Sequence, residues 1–267
     1  MKISSRVEAL FSQAVALDQA GRFKNSIHCK GTDLFIVNFD KTVMLRFDVP
    51  KPFDTTVNMF ASDYDSPNFT EDDGRIFFVQ REAGFVRTKS NRIPDLTFEE
   101  VREVWDRRRA SDNSKADFFV LDRAILSLLD NDLSHIEIFS NGVLVIQQRD
   151  IYSGALIRVV RDTKGLGLAG LSDRITKNFG PLGIRTADFN GIFAFNSRIT
   201  FYPHGSFLYF SGSENSMEGF VGTCLYDELG TIAYVREDED GRKESEKRFG
   251  QQEVDRPAKE IKRRKIC

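Results

Sequence analysis

The chain has little of what catalytic and metal sites are usually built from. Of its 267 residues only three are cysteine (Cys29, Cys224, Cys267) and three are histidine (His28, His135, His204). No Cys-x-x-Cys pair occurs and no His stands at zinc-ligand spacing, which argues against a disulfide framework or a zinc site and favours a reducing, intracellular setting. His28 and His135 fall in strand patterns and His204 in a Pro-His-Gly turn, where a hydrogen-bonded structural histidine is the plain reading. No Gly-x-Ser-x-Gly marks a nucleophile elbow, and no glycine-rich loop leads into Lys-Ser/Thr. The glycine cluster of Gly165, Gly167 and Gly170 lacks the following helix and later acid that dinucleotide binding requires. No enzyme, cofactor or metal is therefore expected. Long apolar runs are missing too: nothing approaches the about 20 residues of a spanning helix. The opening MKISSRVEALFSQAV carries Arg6 and Glu8, so a signal peptide is not expected and a soluble, cytosolic protein is. Net charge is nearly absent as well, with 38 Lys+Arg against 40 Asp+Glu. That removes a uniformly basic protein steered onto phosphates and leaves open a charge-segregated one.

What is present is a core. Hydrophobic residues make up 40% of the chain, and Phe occurs 24 times, which excludes global disorder and suits one large domain or two ordinary ones. Ser4 to Gln19 reads as a helix, with Val7, Leu10, Phe11 and Ala14 at helical spacing and Gly21 as the stop. Short strands follow: KNSIHC, LFIVNF, TVMLRFDV, TTVNMF, RIFFVQ and GFVRT. A charged segment then runs from Ile93 to Ala116, in which Thr97 and Glu100 form a capping box. The second half repeats the order of events. FVLDRAILSLLDND predicts a short helix with Leu121, Ile125, Leu128 and Leu129 on one face. HIEIFS and VLVIQQ flank Asn141-Gly142 as a hairpin, and GALIRVVR is a further strand. After a glycine-rich insertion at 164–183, FAFNSRITFYP reads as a short amphipathic piece, and SFLYFSG, GFVGTCL and TIAYVRE close the half as strands. Two similar α+β halves with antiparallel strands, joined by a charged connector, are the expected architecture. Beyond Val235, 11 Lys+Arg and nine Asp+Glu in 32 residues read as a disordered tail.

Among charged residues, position matters more than number. Arg6 lies off the apolar face of the first helix, Arg123 off that of the second-half helix, and Arg198 off FAFNSRITFY if that piece is helical. Arg107-Arg108-Arg109 after Trp105 is a denser patch that suits either phosphate contact or a solvated helix end. The acids Asp63, Asp65 and Glu71-Asp72-Asp73 lie among turn formers and read as a solvated loop or, alternatively, as metal ligands.

At this point the chain resembles the DNA polymerase sliding clamp of T-even and related tailed phages. The resemblance rests on the opening MKISSRVEALFSQAVALDQAGRF, on AILSLL before the hairpin I-E-I-x-x-N-G-V-L-V-I, and on Ala155 to Val159. It continues through F-x-F-N, Pro-x-Gly before a strand, Gly-Phe in the penultimate strand and T-I-A-Y-V. It covers roughly residues 1–235 in element order, and it departs between TTVNMF and RIFFVQ, where ASDYDSPNFTEDDG is too short for a good helix. The resemblance implies clamp domains at 1–90 and 118–235, a connector at 91–117 and a tail at 236–267, with sheets outside and short helices inside. It further implies a homotrimeric ring in the host cytoplasm that encircles duplex DNA without reading its sequence. Its partners would be a DNA polymerase and an ATP-dependent clamp loader. Arg6, Arg123 and Arg198 would then face the hole, with Arg102, Arg174 and Lys177 as further candidates. Val101, Val104 and Trp105 would line or cover a partner pocket beside the connector, or else pack onto the sheet. A β-rich phage assembly protein, and a metal-dependent nucleic-acid enzyme using the acids at 63–73, are the competing readings.

Overall fold

The computed structural model describes residues 3–222 apart from 66, 73–74, 84, 112–116, 130–132, 141–142, 150–152, 154, 162–175, 177 and 205–206. Met1–Leu225 form one compact unit; Tyr226–Cys267 form a second, which lies outside the described residues together with TIAYVRE and the charged tail. Helix α1 (Ser5–Gln19) begins where Ser4, in extended backbone, accepts from the Val7 N–H at 3.5 Å. It ends at Gly21, whose φ of 66° suits a residue without Cβ. Its buried positions Val7, Leu10, Phe11 and Ala14 follow the expected i, i+3, i+4, i+7 spacing.

Strands β1 (Asn25–Asn38) and β2 (Val43–Phe60) come next. A straight strand of that length would span about 46 Å, yet the Phe39 N–H donates to the Lys24 carbonyl at 2.8 Å. So β1 doubles back, at Gly31 with φ 59°, into the two arms that KNSIHC and LFIVNF predict. One arm pairs with the start of β2 (Val37↔Met44 to Asp33↔Asp48) and the other with its end (Cys29↔Val57 to Ser26↔Phe60). A three-residue helical turn, Ala61–Asp63, leads to β3 (Phe69–Asp72), β4 (Arg75–Glu82) and β5 (Phe85–Ser90). Helix α2 (Phe98–Ser111) opens on the predicted capping box, with the Thr97 N–H on Glu100 Oε2 at 2.8 Å and the Glu100 N–H on Thr97 Oγ1 at 3.3 Å.

The second half runs β6 (Phe119–Asp122), a helical turn Arg123–Leu128, β7 (Leu133–Ile138), β8 (Leu144–Arg149) and β9 (Leu156–Arg161). It then continues with β10 (Phe179–Arg185), α3 (Thr186–Phe195), β11 (Arg198–His204), β12 (Phe207–Gly212) and β13 (Met217–Gly222). Strand, helical segment and three strands thus occur twice over. The first half shows the same motif: α1 with the arms of β1 and the start of β2, then the end of β2, Ala61–Asp63 and β3–β5. All pairing is antiparallel, in sheets β1-β2-β13-β12-β11-β6, β10-β7-β8-β9 and β3-β4-β5. The first of these joins the halves, because β13 pairs with β2 (Glu218↔Arg46, Phe220↔Met44).

Three expectations need correction. FVLDRAILSLLDND is not a helix of one apolar face: Phe119–Asp122 pairs with β11 as a strand, leaving only a short turn, and Leu128 is exposed. The aromatic and β-branched residues favour the strand once a partner is beside them. FAFNSRITFYP is divided between the end of α3 and β11. The end of the glycine-rich insertion opens β10 (Phe179–Arg185), a strand masked in the sequence by Gly180 and Pro181. Gly180 has φ 108°, and a Cβ there would lie 2.5 Å from the Ile136 carbonyl oxygen. Gly180→Ala should cost about 1–3 kcal/mol of stability, readable as a lowered thermal midpoint; an unchanged midpoint would show that β10 can leave β7 freely.

The joint sheet is covered on both sides. On one face α1 and α3 bury Phe11, Phe189, Ile192 and Phe193 against Ile36, Leu45, Phe201 and Phe210. On the other, α2 buries Phe98, Val101 and Trp105 against Phe35, Val37, Met44, Tyr209 and Phe220.

Candidate nucleic-acid and partner interfaces

The helix face is the place to look for the expected arginines. Arg6 is half-buried on α1, and Arg123 is exposed at the start of its turn, where its N–H donates to the Ser197 carbonyl at 2.7 Å. The outward positions of α1 are small and uncharged: Ser5, Ala9, Ser12 and Ala16 are all exposed. Arg198 stands not on a helix but at the first position of β11, opposite Asp122, and its Nε donates to that carboxylate at 2.9 Å. The spacing misleads there because α3 ends at Phe195, three residues short of it. Arg102 is on α2, across the joint sheet from α1 and α3, with its guanidinium on Asp33 and at 3.5 Å from Asp106. It therefore shares no surface with Arg6. Arg174 and Lys177 lie outside the described residues.

The arginine triplet is also occupied. Arg107 pairs with Glu103 and Arg109 with Glu218, both at 2.6 Å, while Arg108 lies over the rings of Phe207 and Phe220 at 5.8 and 5.9 Å. Arg108 and Arg109 fasten α2 to the sheet, whereas Arg107 is paired within the helix. Val101 and Trp105 are almost fully buried and Val104 partly so. Trp105 packs on Phe220 at 4.7 Å and on Phe35 at 5.8 Å. Of the two roles open to them, these side chains take packing onto the sheet. Beside the start of the connector a cleft of about 530 Å³ is lined by Val37, Phe39, Lys41, Phe60, Arg92 and Leu96 among others.

Asp63 does not present itself as a metal ligand. It is buried and takes the Arg92 backbone N–H at 2.8 Å and its guanidinium at 3.0 Å. A second buried carboxylate, Asp188 in the first turn of α3, accepts from Asn38 at 3.1 Å and from Arg185 at 3.0 Å. Burial pushes the Asp188 carboxyl up and the Arg185 guanidinium pulls it back. Arg185 also reaches Asp40, so this network ties the β1–β2 turn of the first half to α3 of the second.

His28 is a structural residue. It is fully buried, with Nε2 at 2.8 Å from the Ser26 hydroxyl and Nδ1 at 2.9 Å from Asn58 Oδ1. Desolvation lowers its pKa from 6.5 to about 4, against a smaller upward pull from Asn58. The folded state thus disfavours the imidazolium. Its contribution to stability is complete above pH 6.5 and drains away as the pH falls toward about 4, by roughly 3 kcal/mol in all. Denaturant midpoints measured across that window should fall on acidification, and the step should be smaller in His28→Gln.

What sequence reading missed is where the remaining apolar surface lies. Phe85 and Val86 of β5 are 79% and 57% exposed, and Leu156 and Val160 of β9 are 46% and 37% exposed. Among the described residues nothing pairs with the outer side of either strand. The equivalent third strands of the other two motifs, β13 and the start of β2, pair with each other inside the chain. GFVRT and GALIRVVR signalled the strands, but which strands remain edges depends on the tertiary order of the sheets.

No family model matches the chain, and no curated protein does. Solved structures do. A beta clamp of Helicobacter pylori in complex with 3,4-difluorobenzamide aligns with TM-score 0.54 and 10% identity, over 84% of this chain and 65% of that one. DNA polymerase III subunit beta of Borrelia burgdorferi aligns with TM-score 0.55 and 12% identity, over 84% and 63%. The fold is that of the beta clamps. An H. pylori beta clamp bound to a DNA ligase peptide aligns at TM-score 0.52 and 8% identity, over 82% of this chain and 64% of that one. The chain therefore spans a little under two thirds of the length of these beta clamps. The likeness lies in the antiparallel sheets and helical segments, since so few identities remain.

Proposed function

We propose that the chain is a DNA sliding clamp of the tailed-phage type, a binding and scaffolding protein without catalysis of its own. The observation that carries this reading is the pair of open edges, β5 and β9, on a beta-clamp fold whose own two halves are already joined by the equivalent strands. Pairing β9 of one copy with β5 of the next repeats the internal joint head to tail, and the rotation closes as a homotrimeric ring. The sheets then form the outer shell, and α1, α3 and the two helical turns face the hole. A closed ring leaves duplex DNA only by opening or by running off an end, so it holds a DNA polymerase at the primer without base contacts. Arg6 and Arg123 supply weak phosphate contacts from the helix side. The small uncharged face of α1 lets the duplex pass. In the host cytoplasm an ATP-dependent loader from other chains would open the ring. Partner peptides would dock in the cleft beside the connector.

Light scattering on the eluting protein should give a mass near three protomers, and the loaded protein should lengthen polymerase runs on primed circular DNA. A strict monomer at micromolar concentration, or no change in run length after loading, would refute the reading.

A further inference from the structure

The motifs differ in what their third strand presents on the helix side of its sheet. At the internal joint, Val43, Leu45 and Phe47 at the start of β2 stand opposite Val221, Gly219 and Met217 of β13. The five side chains in these rows are buried in the core that α1 and α3 cover. Strand β5 holds the equivalent place in the motif whose helical segment is only the three-residue turn Ala61–Asp63. Its residues on the helix side are Phe85, Arg87 and Lys89. Where the helix shrinks to one turn, the third strand exchanges an apolar stripe for a basic one.

The pairing fixes that side. Lys89 stands opposite Phe78, Arg87 opposite Gln80 and Phe85 opposite Glu82, and cross-strand partners share a face. Phe78 packs on Tyr64 at 5.6 Å, which packs on Phe11 of α1 at 5.3 Å. Phe78 is buried, Lys89 half-buried, and Arg87 and Phe85 are exposed, so the cover runs out toward the tip of the hairpin. Arg87 Nη1 donates to Gln80 Oε1 at 3.2 Å, a neutral amide. Arg92, Arg109 and Arg198 each meet a carboxylate; among the described residues neither Arg87 nor Lys89 does. Two residues apart on a strand, they stand about 7 Å from one another, close to the spacing of neighbouring phosphates along a DNA strand.

Resting on the clamp reading, we propose that the helix side of the β4–β5 hairpin is a duplex-contact surface, on which Arg87 and Lys89 take backbone phosphates where the α1 and α3 motifs present a helix. The described helices on that side offer phosphates little. Asp188 is the one charged residue of α3, and the outward positions Ser5, Ala9, Ser12 and Ala16 of α1 are small and uncharged. With no helix between, the duplex must lean toward this wall by up to about 10 Å, the width of a helix. The contact is therefore made on one protomer at a time, through phosphates alone and without reading the sequence.

The salt dependence of duplex binding tests this. Fluorescence anisotropy of a blunt, labelled duplex of about 30 base pairs, titrated with protein between about 50 and 300 mM NaCl, gives the slope of log K against log salt. In Arg87→Gln combined with Lys89→Gln the slope should be shallower than in wild type by about 1.8, two phosphate contacts at about 0.9 each. Arg81→Gln removes an exposed cation from the opposite face of β4 and should leave the slope unchanged. Light scattering on each variant reads whether assembly is kept. Should the double variant not assemble, p-benzoylphenylalanine placed at Gln80 or at Arg81 decides, because these neighbours point to opposite faces. The first should crosslink to the duplex on irradiation and the second should not. An unchanged slope in an assembled double variant, or crosslinks from position 81 and none from position 80, overturns the proposal alone. A wild type that stays monomeric with duplex present overturns the clamp reading with it.

Discussion

Trp105→Ala is expected to lower stability by about 3–5 kcal/mol, the range for removing a fully buried large aromatic. Trp105 is 2% exposed and packs between Phe35 and Phe220, with the Arg46 guanidinium 5.8 Å from its ring centroid. The rest of α2 is highly charged, and what else binds it to the sheet includes Phe98, Val101, Arg108 over the Phe207 and Phe220 rings, and ion pairs from Arg102, Arg109 and Glu99. The two arginine pairs are about half exposed on the arginine side, and such pairs are worth about 0–1 kcal/mol each. Arg102→Ala should therefore cost a small fraction of what Trp105→Ala does. Without the indole, α2 should open before the rest of the molecule, and amide exchange across 98–111 should quicken ahead of global unfolding. A loss below about 1 kcal/mol in the tryptophan variant would mean that the helix is held by its charges. Because Trp105 bridges strands from both halves, Phe35 from the first and Phe220 from the second, the same substitution also loosens the internal joint.

How much of this was legible depends on whether local periodicity decided the element. Helix α1 has its apolar stripe, its Ser4 cap and its glycine stop in one continuous stretch, and it forms where those signals put it. The Thr97–Glu100 box is similarly local. The hairpin in β1 was readable as two strands because Lys30-Gly31-Thr32 interrupts the apolar pattern. By contrast Phe119–Asp122 is a strand because β11 lies beside it, which no window of sequence around it contains. β10 was hidden by Gly180 and Pro181, which signal a loop except where a partner backbone approaches closely. The site was less legible than the fold. An arginine's place relative to an apolar stripe says which way it points only if the stripe is a helix. Arg198 fails that condition and Arg102 is on the opposite side of the sheet. The acids and arginines that looked available were already matched in space, Asp63 with Arg92 and Arg109 with Glu218, over separations no motif records. The edge strands were missed for the same reason: openness is a property of sheet order.

The largest functional effect is expected from Leu156→Asp combined with Val160→Asp. Both side chains are partly exposed on β9, on the face shared with Val145, so the protomer loses little by the change, within about 0.5–1 kcal/mol of wild-type stability. At a seam between copies the same side chains are buried against β5, where an aspartate must shed its water beside Val86 on the same face. Truncation of central apolar anchors at interfaces costs about 2 kcal/mol or more, and an unpaired carboxylate in their place costs further. Association should therefore weaken by about a hundredfold or more, and polymerase run length on primed circles should return to the clamp-free value. Ile93→Asp is the control, since Ile93 is 53% exposed but lies on neither edge strand. It should leave assembly unchanged. If the double variant assembles as wild type does, β9 is not the surface through which copies meet. If it fails to assemble yet still extends polymerase runs, encirclement is not how the protein holds DNA.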